Sequence, residues 1–163
     1  TINRDLPDGR FFAWVGQFQW LRRLPVGQVL VRTDLQLSDD ALLPLEKFAV
    51  GGMYSVRGYR ENQLVRDWGF ASSLEYRYPI LTELFGPDKI MLAAFFDIGG
   101  AWNKAEETPP PKILPSLGLG LLWDPHPKLH GQFYWGWAIK NVRNPEHDPQ
   151  DLGFHFRLTA NVF

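Results

Sequence analysis

Trp68-Gly69-Phe70-Ala71-Ser72-Ser73-Leu74-Glu75-Tyr76-Arg77-Tyr78 decides the fold of this chain. Trp68, Phe70, Leu74, Tyr76 and Tyr78 fall on one side of an extended backbone. Gly69, Ala71, Ser73, Glu75 and Arg77 fall on the other, because successive strand side chains point to opposite faces. A strand with aromatics on one face and small or charged residues on the other separates two different environments.

The same period recurs in both directions along the chain. Upstream, Phe12, Trp14, Phe18 and Trp20 oppose Ala13, Gln17 and Gln19, and Val29, Val31, Thr33, Leu35 and Leu37 oppose Arg32, Asp34, Gln36 and Ser38. Downstream, Leu92, Ala94, Phe96 and Ile98 oppose Ala93, Phe95, Asp97 and Gly99. Leu117, Leu119, Leu121 and Trp123 oppose Ser116, Gly118, Gly120 and Asp124. Phe133, Trp135, Trp137 and Ile139 oppose Gln132, Tyr134, Gly136 and Lys140, and Phe154, Phe156, Leu158, Ala160 and Val162 oppose His155, Arg157, Thr159 and Asn161. This predicts an all-β chain of roughly seven strands of about ten residues, long enough to cross a bilayer when tilted.

Composition permits that reading without forcing it. The 163 residues suffice for one domain, with 45% hydrophobic, 15% aromatic and 21% charged residues. Mean hydropathy is −0.23, and no apolar run approaches the roughly 18 residues of a membrane helix. A membrane β-barrel escapes that test because its strands alternate. A water-soluble sandwich or barrel with its apolar face inward also alternates. The placement of Trp14, Trp20, Trp68, Trp102 and Trp123 near strand ends favours the membrane barrel, whose aromatic girdles sit there.

The connections differ by end. Leu24 to Val26 and Pro125 to Leu129 are short, whereas residues 39–65, 103–113 and 141–151 are long and polar, as in outer-membrane barrels. Leu81 to Lys89 belongs with the short turns but is longer than they are. The longest loop holds Gly51-Gly52-Met53-Tyr54-Ser55-Val56-Arg57-Gly58-Tyr59. Glycines allow close backbone approach, and a lone arginine can grip a carboxylate with a forked contact. Glu75 and Asp97 share the inner face and are natural partners for Arg57, since a buried unpaired charge is costly.

Several chemistries are disfavoured. A formal net charge of −1 argues against nucleic-acid binding, and with no cysteine there is neither a disulfide nor a thiolate metal site. His126 and His130 have helical spacing, but Pro125 and Pro127 exclude a helix there, so with His147 and His155 they form no metal site. Gly118-Leu119-Gly120 lacks the rest of a dinucleotide fingerprint. No nucleophile-elbow serine is present. No catalytic residue, cofactor or metal is expected.

Four stretches taken in order resemble one family: residues 48–59, Ser73-Leu74-Glu75-Tyr76-Arg77-Tyr78-Pro79, Phe95-Phe96-Asp97-Ile98-Gly99, and the string from Asp151 to Leu158 ahead of Phe163. Together they resemble the outer-membrane barrel superfamily of two-partner-secretion transporters, of haemolysin-activator type, and the barrel subunit of the outer-membrane assembly machinery. The resemblance implies an antiparallel transmembrane β-barrel. Residues 1–163 would be the C-terminal part, roughly the last seven or eight strands of a sixteen-stranded barrel, with the VRGY loop at 39–65 and no POTRA domain in this chain. It implies residence in the outer membrane of a Gram-negative bacterium or an equivalent organelle membrane. The implied role is moving or inserting unfolded β-rich polypeptides. Implied partners are the lipid bilayer, a secreted or nascent outer-membrane polypeptide, the assembly machinery and further copies of the chain.

Carried over residue by residue, Arg57 latches the loop inside the barrel through Asp97, with Glu75 a second partner. Gly51, Gly52, Val56, Gly58 and Tyr59 complete the loop motif. Gly153, Phe156, Leu158 and Phe163 resemble an assembly signal, although Phe163 is out of phase with its strand. Seven strands cannot close an antiparallel barrel alone; an eighth from residues 1–9 or the loop, several chains, or a longer parent would be needed. A passive porin-like barrel and a soluble β-domain are the alternative readings.

Overall fold

The structure is a computed structural model in which residues 11–86, 89–142 and 148–161 are described. His147, Phe163 and the proposed strand in residues 1–9 lie outside them. Seven long strands form one antiparallel sheet: β1 (Ala13–Arg23), β2 (Gln28–Ser38), β5 (Trp68–Pro79), β6 (Ile90–Trp102), β7 (Ile113–His126), β8 (Leu129–Ala138) and β9 (Phe154–Ala160). Two short strands, β3 (Phe48–Val50) and β4 (Leu64–Arg66), pair only with each other, inside the long loop. The spatial order β1-β2-β5-β6-β7-β8-β9 follows the chain, so every long connection joins nearest neighbours.

Strict alternation makes the two faces different. Leu74, Tyr76 and Tyr78, Leu92 and Phe96, Leu117, Leu119 and Leu121, and Phe133, Trp135 and Trp137 stand exposed on the outer face. Their strand neighbours Ser73, Glu75, Ala93, Phe95, Asp97, Ser116 and Tyr134 are buried on the inner face. A continuous exposed apolar surface of this extent does not suit a soluble monomer. Facing lipid, it is the ordinary outer wall of a membrane barrel. Trp68 and Trp102 pair across β5 and β6 and stack at 4.6 Å where both strands meet the long loops. Trp123 lies at the opposite, turn end of β7.

The turn side departs from expectation twice. Between β5 and β6 the chain forms a four-residue helix, α1 (Thr82–Phe85), which accounts for the extra length there. Residues 125–126, read as turn, continue β7 past a register irregularity between Trp123 and His126. Pro125 donates no ladder hydrogen bond and is tolerated where pairing is already broken.

The hydrophobic core lies on the inner face, beneath the long loop. Val50, Val56, Tyr59 and Leu64 from the loop pack with Ala101 of β6 and Leu114 of β7. Met91, Ala93, Phe95, Leu122 and Tyr134 form a second cluster nearer the turns.

Candidate functional site

The register between β5 and β6 sets out the floor of the site. Ser73 lies opposite Asp97, and Glu75 lies opposite Phe95. All four point inward, making a two-by-two block of hydroxyl, carboxylate, carboxylate and ring. Arg57 comes down from the loop onto this block and is 3% exposed.

Every arm of that arginine is engaged. Its Nε donates to Asp97 Oδ2 at 2.8 Å and its Nη2 to Asp97 Oδ1 at 2.9 Å, the forked geometry that a guanidinium and a carboxylate favour. Nη2 also donates to Ser73 Oγ at 2.9 Å, and Nη1 donates to Glu75 Oε2. The backbone N–H of Arg57 reaches Asp97 Oδ2 at 3.0 Å, so this carboxylate fixes main chain and side chain together. Glu75 Oε1 in turn accepts from Arg77 Nε at 2.6 Å and from the Tyr134 hydroxyl at 3.1 Å. Burial alone would lower the Arg57 pKa, but the bonds to Asp97 and the charge of Glu75 outweigh it and hold the pKa above its ordinary value.

The remaining faces of the guanidinium are aromatic. Its central carbon lies 3.6 Å from the Phe95 ring centroid and 4.5 Å from that of Tyr134. Space for these rings comes from β7, where Gly118 and Gly120 sit beside them. A Cβ on Gly118 would meet Phe95 at 2.5 Å, and one on Gly120 would meet Tyr134 at 2.4 Å. The Gly-x-Gly that fails as a nucleotide fingerprint is therefore a floor cleared for two rings.

The rest of the loop motif shapes the approach. Gly51 and Gly52 have φ of 116° and 93° and turn the chain inward, and Ser55 Oγ clips that turn by accepting from Gly51 N–H at 2.8 Å. Val56 is fully buried against Gly99. The Gly58 backbone rests on that of Gly136, and its N–H donates to His155 Nε2 at 3.1 Å. The Tyr59 hydroxyl donates to Pro115 O at 2.8 Å and accepts from Lys140 N–H at 3.0 Å. Burial raises the Tyr59 pKa.

Strand parity with charge singled out Glu75 and Asp97, but gave no role to Ser73, Phe95, Tyr134, Gly136 or His155. All five share the inner face, so parity nominates them. Only the register says which inward residues lie under Arg57.

The root of the loop holds a second polar cluster, also missed. Asp67, between β4 and β5, is 2% exposed. It accepts from Leu42 N–H at 3.0 Å and Lys104 N–H at 2.8 Å and pairs with Lys47 at 3.2 Å. Burial pushes its pKa up, but these donors more than reverse that and leave it below the usual carboxylate value. Arg66 beside it donates to the carbonyls of Ala101, Pro109 and Pro111. The loop of residues 39–67 is thereby tied to that of residues 103–112.

Of the terminal string, Gly153 has φ 70° and ends the 3-10 turn Pro149–Leu152. Phe156 and Leu158 stand exposed on the outer face of β9. Among the described residues no group of acidic or histidine side chains could hold a metal ion.

Comparison with known proteins adds three findings. The Omp85 superfamily domain matches residues 10–160. The fold is similar to BamA from Haemophilus ducreyi lacking POTRA domains 1–3, with a TM-score of 0.72 at 15% identity over 93% of this chain. It is also similar to CdiB from Acinetobacter baumannii, with a TM-score of 0.64 at 19% identity over 92% of this chain. The chain spans 35% of the first structure's length and 27% of the second's. Curated protein sequences gave no match.

Proposed function

The chain belongs to the Omp85 superfamily of outer-membrane β-barrel proteins, and on that premise we propose that it is part of a pore that moves or inserts unfolded β-rich polypeptides. Residues 1–163 supply the C-terminal part of the barrel wall, its outer face in lipid and its inner face toward the polypeptide path. The loop of residues 39–67 is the working part, and Arg57 is its latch. The observation that carries this reading is the burial of Arg57 between two carboxylates, a hydroxyl and two rings, with Asp97 also holding its main chain. A loop that served only as a surface connection would leave its arginine in water. Removing one partner of a buried pair costs about 3–5 kcal/mol because it strands the other charge, so the docked loop and the wall acids depend on each other.

In this account the barrel is a transporter or insertase, and no step of its work breaks a covalent bond. Its partners are the bilayer, the client polypeptide and the assembly machinery that inserts the barrel, which reads Gly153, Phe156, Leu158 and Phe163. The test is to deplete the full-length protein in its host and follow outer-membrane clients and secreted β-rich proteins. Loss of a client from the membrane or medium supports the reading. A conducting barrel whose depletion leaves every client in place would make it a passive pore.

A further inference from the structure

The loop runs along the inner wall from β5 to β9, and its polar side chains hold the two ends of that run. Arg57 binds β5 and β6, while Gly58, Arg60 and Glu61 reach β9 and the turn that leads into it. Four inter-strand steps separate β5 from β9 in the sheet order, about 19 Å measured along the sheet at the usual strand spacing. The contact with β9 has its own chemistry. Arg60 grips Asp151 with two bonds, Nε to Oδ1 and Nη2 to Oδ2, both 2.7 Å. Glu61 N–H donates to Gln150 Oε1 at 3.0 Å, and the Glu61 carboxylate turns back to accept from Met53 N–H at 2.9 Å. Asp151 is preset for this contact, because the same Oδ2 accepts from Asp148 N–H at 3.1 Å in the capping box of the 3-10 turn.

We propose that Arg60 and Glu61 form a second hold, separate from the Arg57 latch, that fixes the leading end of the last strand to the loop. Three features support it. Backbone pairing of β9 to β8 runs only from Leu129↔Ala160 to Trp135↔Phe154. Beyond it the sheet continues through one bond, Gly136 N–H to Gly153 O at 2.9 Å, and the side chains of the loop take over. The two holds also differ in solvent: the Arg57 side chain is 4% exposed, while Arg60 and Asp151 are 21% and 30% exposed. A rim pair yields to salt or to a passing partner while the buried one stays closed. The loop thus acts as a strut between the wall and the last strand, with a firm end and a releasable one.

This deepens the reading above, since it concerns the same loop, but its readout is structural and survives a failure of the transport assignment. Hydrogen exchange is measured on the full-length protein in lipid nanodiscs for R60A, R60K, D151N and R60A/D151N. Asn at 151 keeps an acceptor for Asp148 while losing the charge. R60A and D151N each raise exchange across residues 148–156 about tenfold and leave residues 95–99 unchanged, with R60K in between. The double variant exceeds the larger single effect by little, because both remove one interaction. Unchanged exchange at 148–156, equal loosening at 95–99, or fully additive effects would each overturn the proposal.

Discussion

Gly58 and Gly136 touch backbone to backbone: a Cβ on Gly136 would lie 2.5 Å from Gly58 N and 2.7 Å from Arg57 C. The loop can therefore seat Arg57 only while β8 has no side chain at this point. Gly58 is constrained from both sides, since its φ of 91° already disfavours any other residue. Gly136→Ala lifts the loop, at a cost of about 1–3 kcal/mol for overpacking. Limited proteolysis of the variant in detergent shows faster cleavage within residues 52–62, while strands β5 to β7 remain protected.

The outer face makes a second prediction. Leu119 lies mid-strand on β7, flanked by Ala94 of β6 and Trp135 of β8. Leu119→Lys places a charge near the bilayer centre and destabilises the inserted protein by about 2–4 kcal/mol. Brominated lipids quench Trp135 and Trp137 fluorescence in the parent protein. Urea titration in lipid vesicles measures the loss of stability in the variant.

Strong acid loosens the loop root. The carboxylate of Asp67 is held below its ordinary pKa, so its contribution to stability is full above the usual carboxylate range. It is lost as pH falls through the lowered folded value. Below about pH 4, hydrogen exchange of the Leu42 and Lys104 amides rises as Asp67 takes up a proton. Asp67→Asn removes this dependence and shows fast exchange at those amides already at neutral pH.

Strand parity carries the sheet because one residue of slip would turn every aromatic from lipid to lumen. Glu75 and Asp97 were legible for the same reason: each is an acid among inward residues. The cluster around Arg57 was not, because it depends on the register between neighbouring strands and on where a loop from elsewhere in the chain lands on them. Nothing local says that Phe95 faces Glu75, or that Gly118 and Gly120 clear space for rings from two neighbouring strands. His155 reads from the sequence only as no metal ligand, and it is the loop that brings the Gly58 N–H against its ring. Asp67 and Arg66 were hidden differently, in a loop whose alternation is broken by two three-residue strands too short to read.

Arg57 is the residue on which loop docking and client delivery both depend, and a single substitution tests both. Full-length protein carrying Arg57→Ala is expressed in a host depleted of the parent, and the level of a client outer-membrane or secreted protein is measured. The variant barrel is expected to insert in normal amount, with its loop protease-sensitive and client delivery reduced at least tenfold, because Ala leaves the buried Asp97 and Glu75 without their cation. Arg57→Lys restores delivery only in part, because a point charge cannot reproduce the fork on Asp97. Client delivery equal to the parent's, from a variant whose loop is demonstrably released, would contradict that dependence.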